Sequence, residues 1–341
     1  MGINEKKVRL NGRLLYSSAV KFENTTNGSV AETLFKDFLS EKDFMEIATS
    51  GSTGSPKLIR LYKEHMRASA SKTLNFLKLE AGSRSLLCLP PERIGGLMML
   101  IRWWEGDLDL HMVSPQASPL EELEGNFDFA AMVPYQVTHS LTQLHRVHKL
   151  IIGGGAIPPE LEQKLKDHAG EIWHTYGMTE TISHVAMRRV NGPDDDVFQA
   201  MPGVRFSVDE RQCLIINSPD IGVENLVTND VVELVTNTSF QWLGRYDNVV
   251  NSGGVKLYPE FIEQKIGEWH HSFFLAGVPD NTLGEKLVLL IEGPDITDIG
   301  ELQARFSKLD RYEIPKEIKV VPKFEYTANG KLNRPQTLLK I

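Results

Sequence analysis

From about residue 44 onward, short apolar runs alternate with amphipathic stretches. The run FMEIATS (44–50) reads as a strand that enters a Gly/Ser/Thr loop. Beyond that loop Met66, Ala70, Leu74 and Leu77 fall three and four residues apart, the spacing of one helix face. SLLCLP (85–90), LDLHMV (108–113), FDFAAMV (127–133) and KLIIGG (149–154) predict buried strands, each followed by a turn or helix signal. Pro158-Pro159-Glu160 opens a helix carrying Leu161 and Leu165, because Pro suits the first helical turn. Strands alternating with helices predict an α/β fold with a mainly parallel, doubly wound sheet, whose ligands bind at the carboxyl ends of the strands. On that reading both the loop after Ile47 and the Gly153-Gly154-Gly155 turn after Ile152 lie at such ends.

The pattern changes after about residue 186. VRFSVDERQCLIIN (204–217) and DVVELVTN (230–237) alternate and are punctuated by turn residues, predicting an antiparallel lobe. LGRYDNVVNSGG (243–254) leads into a last segment of strands and helices. In it LVLLI (287–291) is the clearest strand, and Leu302, Phe306 and Leu309 mark one helix face. A boundary near Asp247 gives a large N-terminal domain, 1–246, and a small α+β C-terminal domain, 247–341, joined by a hinge. A length of 341 residues suits two domains.

Composition narrows the function classes. With 41% hydrophobic and 24% charged residues the balance is that of a soluble globular protein. Cys88 and Cys213 lie in apolar runs and read as core thiols, with no disulfide framework and no cysteine zinc site. The charged start MGINEKKVRLNG has no apolar signal core, and no apolar stretch reaches about 18 residues, so neither secretion nor a membrane span is expected. The expectation is a cytoplasmic enzyme or binding protein. A net charge of −8 argues against broad nucleic-acid binding.

The strongest local signal is Thr49-Ser50-Gly51-Ser52-Thr53-Gly54-Ser55-Pro56-Lys57. Its glycines let successive N–H groups turn toward phosphate oxygens, its hydroxyls add donors, and Lys57 adds a point charge. It is not a Walker A loop. Gly/Ser runs are also ordinary surface turns, so the loop alone decides nothing. Other residues suit the same chemistry. Glu180 offers a hard oxygen ligand for Mg²⁺, Tyr176 a flat face for adenine, and Asp230 two acceptor oxygens for ribose hydroxyls. Arg245 brings a rigid fork for phosphate or ribose oxygens, and Lys331 a cation on a Gly-containing loop. Without such a ligand each would be a surface charge, a core tyrosine or a turn residue. HExxH, GxSxG and GxGxxG are all absent.

Taken in order, these segments resemble the adenylate-forming superfamily of acyl- and aryl-CoA synthetases. Residues 49–57 look like its phosphate loop, Gly153-Gly154-Gly155 like its adenine-side turn, and Tyr176-Gly177-Met178-Thr179-Glu180 matches YGxTE. Thr228-Asn229-Asp230 matches TGD with Asn for Gly. Gly244-Arg245-Tyr246-Asp247, with Gly253-Gly254 and Pro259-Glu260, matches the hinge region. Thr327-Ala328-Asn329-Gly330-Lys331 matches the loop that carries the catalytic lysine. The resemblance implies ATP, Mg²⁺ and CoA, and two steps, acyl-adenylate formation and then thioester formation. It implies that Lys331 serves the first step, that Asp247 is the pivot, and that Gly253 and Gly254 lie near the thiol path.

Within the superfamily the phrasing of CLPPERIGGLMML, YGMTETISHVAMR and WLGRYDNVVNSGGVKLYPE is most similar to short-form o-succinylbenzoate–CoA ligases of menaquinone biosynthesis. A keto-dicarboxylate needs a donor for its second carboxylate, which cannot be buried unpaired. Arg93, Gly95, Gly153, Ser183 and His184 stand beside the family's substrate-wall motifs and are the candidates for the acid pocket. Arg93 reads equally as a surface residue and His184 as a core histidine. Only about 48 residues precede the phosphate loop, fewer than is usual in the superfamily, and Glu92-Arg93 stands where an aromatic or His is common. These departures raise the expectation of a homodimer whose second copy completes the acyl pocket.

Overall fold

The computed structural model describes residues 6–22, 25–49, 57–121, 123–192, 196–267, 269–294, 299–326 and 332–341. They separate into two compact units, Met1–Phe206 with Ile216–Leu226 and Thr236–Ser239, and Ser207–Ile215 with Val227–Val235 and Phe240–Ile341.

In the first unit the chain runs β1 (Lys7–Leu10), β2 (Arg13–Tyr16), α1 (Gly28–Leu39), β3 (Phe44–Thr49), β4 (Lys57–Tyr62), α2 (Lys63–Phe76), β5 (Arg84–Leu87) and α3 (Ile94–Gly106). It continues through β6 (Asp109–Met112), β7 (Phe127–Met132), α4 (Pro134–His139), β8 (Val147–Ile152), α5 (Pro159–Leu165), β9 (Glu171–Gly177), β10 (His184–Arg189) and β11 (Val197–Ala200). The sheet order is β11-β10-β9-β8-β7-β5-β6-β1-β2. Every pair from β9 to β1 is parallel, whereas β1–β2, β9–β10 and β10–β11 are antiparallel. The mainly parallel sheet expected from the apolar runs is present. The later parts of its inner strands, 129–132 in β7 and 150–152 in β8, are apolar because both faces are covered there, and Phe127, Phe129, Ala130, Leu150 and Ile152 are sealed from solvent.

One expectation needs correction. The strand before the phosphate-loop sequence does not belong to the parallel sheet. β3 pairs antiparallel with β4 in a separate two-stranded ribbon, from Phe44↔Tyr62 to Thr49↔Lys57. The loop therefore joins a hairpin rather than capping a parallel strand. Burial alternates along the hairpin, with Met45, Ile47 and Leu61 buried and Glu46, Arg60 and Tyr62 exposed, a pattern that one apolar run read alone does not reveal.

From β5 the chain moves outward to β6, then crosses back to β7 on the other side of β5. That reversal makes the crevice beyond the carboxyl ends of β5 and β7 the place where an open α/β sheet receives its ligand. α3 starts there. Its residues Gly96 to Trp104 are all buried, so it is a core helix rather than an amphipathic one. Gly96, in its first turn, has to be glycine because a Cβ would lie 2.2 Å from the Pro90 carbonyl oxygen.

Strands β12 (Arg205–Val208), β13 (Cys213–Ser218), β14 (Val223–Thr236) and β15 (Ser239–Arg245) follow as neighbours in chain order, with segments in each unit. The second unit continues with β16 (Val250–Ser252), β17 (Val255–Leu257), α6 (Pro259–Ile266), β18 (Phe273–Asp280), β19 (Gly284–Glu292), α7 (Ile299–Phe306), β20 (Glu317–Val321) and α8 (Arg334–Leu338). β18 and β19 form its long antiparallel pair, with β20 parallel to β19. Leu275, Leu287, Leu289, Ile291, Ile262 and Leu302 make one core of this α+β sheet. No helix among the described residues is long and apolar enough to cross a membrane.

Candidate functional site

In the first unit the ends of β8, β9 and β10 gather several of the expected residues. Gly153 N–H donates to the Met132 carbonyl at 3.1 Å, and a Cβ on Gly153 would lie 2.6 Å from Thr175 Oγ1. Gly154 has φ +82°, where an L side chain is strained. Tyr176 is half-buried, its ring edge-on to Phe198 at 5.9 Å. At Gly177 a Cβ would meet the Ser183 carbonyl oxygen at 2.3 Å, so only glycine permits β9 and β10 to close here. Thr179 is half-buried and Glu180 exposed on the single turn Thr179–Thr181. Among the described residues no three His, Cys, Asp or Glu side chains form a metal-holding group. One exposed carboxylate suits Mg²⁺ that arrives already bound to phosphates, since that ion takes one or two carboxylates plus phosphate oxygens.

His174 lies two residues from Tyr176 along β9, and so on the same face. Its Nε2 donates to the Gly155 carbonyl at 3.1 Å, and Nδ1 has no partner among the described residues. Burial, with Arg188 adding to it, pulls the imidazole down to about 4. An unfolded histidine titrates near 6.5. Between these values only the unfolded chain takes up the proton, so stability is full above pH ~6.5 and falls as pH drops toward 4. The expected loss is roughly 2–3 kcal/mol, from about 1.4 kcal/mol per unit of displacement. Urea unfolding at pH 7 and 4.5 checks this: His174→Gln should be the less acid-sensitive protein, and equal sensitivity would refute the assignment.

The candidates for the acid pocket divide. Arg93 is exposed and only caps α3, and Gly95 is exposed with a would-be Cβ 3.4 Å from Leu89. The close approach belongs to Gly96 instead. Ser183 and His184 face an arginine that sequence reasoning missed. Arg102, in the middle of α3, is 1% exposed. It donates through Nη2 to Ser183 Oγ at 2.7 Å and lies 3.8 Å from Met99 sulfur through Nη1, while Nε has no partner among the described residues. It makes no ion pair with any described carboxylate. Burial alone brings its guanidinium down to about 9, so it is still a cation at neutral pH. The signal was a charge inside LMMLIRWW, apolar on every helical face.

A relay fixes Ser183. Thr73 Oγ1 lies 3.3 Å from the Ser69 carbonyl, to which it donates, and 3.1 Å from His184 Nε2. The imidazole therefore carries its proton on Nε2, leaving Nδ1 to accept from Ser183 Oγ at 3.4 Å. Burial and the neighbouring Arg102 hold His184 well below its ordinary range, consistent with a neutral ring.

The second unit holds the other expected residues. Asp230 is buried, accepting from Trp242 Nε1 at 3.2 Å and lying 3.6 Å from Arg245 Nη1. Arg245 also reaches Asp247 at 3.8 Å, and Asn229 donates to Asp247 at 3.5 Å. Gly253 and Gly254 have φ +59° and +83° in the turn joining β16 to β17. Asn248 donates to Glu260, which lies 4.0 Å from Arg334, itself paired with Glu263 at 2.7 Å and bonded to the Leu275 carbonyl. Ser50, Gly51, Ser52, Thr53, Gly54 and Lys331 lie outside the described residues, as do the side chains of Thr49 and Lys57.

The AMP-binding enzyme family matches residues 31–216, more than half of the chain. The 2-succinylbenzoate–CoA ligase of Escherichia coli (strain K12) is 27% identical over 297 residues, covering 80% of this chain and 64% of that protein. The 2-succinylbenzoate–CoA ligase of Salmonella typhimurium is 26% identical over 306 residues, covering 84% and 66%. The chain thus spans slightly less than two thirds of these curated relatives. Among solved structures, an acyl-CoA synthetase (AMP-forming)/AMP-acid ligase II-like protein from Dyadobacter fermentans is 37% identical, covering 95% of this chain and 97% of that one, with a TM-score of 0.65. An o-succinylbenzoate coenzyme A synthetase from Bacillus subtilis, in complex with ATP and magnesium ion, shares the fold at 19% identity and a TM-score of 0.73, covering 86% of this chain and 69% of that one.

Proposed function

This chain belongs to the AMP-binding enzyme family, and from that premise we propose that it is an AMP-forming acid–CoA ligase whose acid carries a second carboxylate, o-succinylbenzoate foremost. The observation that carries the substrate class is Arg102. A buried guanidinium with no carboxylate of its own is costly unless an anion arrives to meet it. A dicarboxylate offers that anion, and its planar carboxylate matches the guanidinium fork.

In the first step a carboxylate oxygen of the acid attacks the α-phosphorus of ATP and pyrophosphate leaves. Such a step needs positioning and charge neutralisation far more than covalent help. We assign residues 49–57 and Gly154 to the phosphate and adenine walls, with Tyr176 against the base, Gly177 and Thr179 beside it, and Asp230 and Arg245 at the ribose. Glu180 would hold Mg²⁺, which neutralises phosphate charge when bound. Lys331 bridges the carboxylate and the α-phosphate. In the second step the CoA thiolate attacks the acyl carbonyl and AMP leaves, with Gly253 and Gly254 along the thiol path and residues 247–341 turning about Asp247.

Acid-dependent exchange between ATP and pyrophosphate, run with matched acids that differ only in the second carboxylate, tests the substrate class. The diacid should exceed its monoacid partner by roughly 30-fold or more in kcat/KM, as expected for a buried charge pair gained. Equal use of both acids would remove the role given to Arg102.

A further inference from the structure

Between the exposed Glu180 and the half-buried Ser183 the backbone does something costly. Ile182 has φ +66° and ψ −49°, near the centre of the rare γ-turn of positive φ, and the Ser183 N–H closes that turn on the Thr181 carbonyl at 2.6 Å. A β-branched L residue is an outlier in this region. Such strain persists only where the surroundings over-determine it. Two features do so here. The Ile182 side chain is 2% exposed, and Thr181 is sealed completely. The Thr181 hydroxyl accepts from Met178 N–H at 2.9 Å and lies 3.0 Å from the Met178 carbonyl and 2.7 Å from the Ser183 carbonyl, so it ties both sides of the turn together. Gly177 leaves the room that the Ser183 carbonyl needs.

A relaxed turn would send Ser183 elsewhere and take its Oγ off Arg102 Nη2. We infer that Thr181 and Ile182 form a positioning element for recognition of the second carboxylate: the hydroxyl-braced γ-turn holds Ser183 on Arg102 and so aims the guanidinium. The element acts through Arg102, so Thr181 governs acid selectivity without being a catalytic residue. This deepens the dicarboxylate reading and rests on it.

The test compares Thr181→Val, which keeps the shape and removes the hydroxyl, with Thr181→Ser, which keeps the hydroxyl. The readout is the ratio of kcat/KM for a diacid to that for its matched monoacid. Any general defect in folding, ATP or Mg²⁺ binding lowers both acids alike and cancels. Thr181→Val should lower the ratio roughly 5- to 30-fold, the size expected for a lost buried hydrogen bond, and Thr181→Ser should restore it. A ratio unchanged in Thr181→Val overturns the inference. If the unaltered protein activates no acid, the ligase reading fails by itself, and the turn is then judged on the ¹⁵N resonances of the Arg102 guanidinium. These should move in Thr181→Val and stay in Thr181→Ser, and resonances unmoved in both would overturn it.

Discussion

Arg102→Met is expected to give a protein that is more stable than the parent and nearly unable to distinguish a diacid from a monoacid. The two effects share one cause. In the free protein Arg102 is a cation at 1% exposure which, among the described residues, has one hydroxyl partner, one thioether contact and no partner for Nε. Replacing buried ionic groups with apolar ones of similar volume often stabilises by about 1–4 kcal/mol. For a chain of this length each kcal/mol moves Tm by roughly 2–4 °C or less, so a rise of a few degrees should be seen by calorimetry. Removing one member of a buried charge pair costs about 2–5 kcal/mol in binding, which is roughly 30- to 5,000-fold in kcat/KM for the diacid. Arg102→Lys keeps the charge but loses the fork, and should recover only part of that loss. A lower Tm together with undiminished diacid turnover would show that Arg102 is a structural residue.

Lys331→Ala should lose roughly 10²–10³-fold in acid-dependent ATP–pyrophosphate exchange, the usual worth of one preorganised transition-state donor. The second half-reaction separates its role from general damage. Supplied with preformed acyl-adenylate, the variant should transfer the acyl group to CoA at close to the parental rate, because the lysine is assigned only to attack at phosphorus. Exchange that survives the substitution would displace Lys331 from the first step. Loss of both half-reactions together would point instead to a folding defect.

The parallel sheet was legible in the sequence because its strands are buried on both faces over much of their length and so carry short apolar runs, as 129–133 does. The β3–β4 hairpin was not, since a strand followed by a Gly-rich loop looks the same whether the next element is a helix or a returning strand. Of the site, the motif residues were readable because glycine at 153, 154 and 177 answers a local backbone demand. Arg102 was hidden for the opposite reason. Its meaning depends on what does not surround it, and pairing is a property of three-dimensional packing. Arg93, nearby in sequence and equally basic, drew the assignment that the geometry favours for Arg102. The γ-turn at Ile182 was also invisible, because nothing in Thr-Ile-Ser announces a strained φ.

The central claim is that the chain joins an acid to CoA through an adenylate. It is tested most directly by following o-succinylbenzoate, ATP and CoA in a single turnover and quantifying every product. The account predicts AMP, pyrophosphate and acyl thioester in equal amounts, with AMP release stimulated by CoA and acid together. ADP in place of AMP, or AMP formed with no thioester while CoA remains unconsumed, would contradict it.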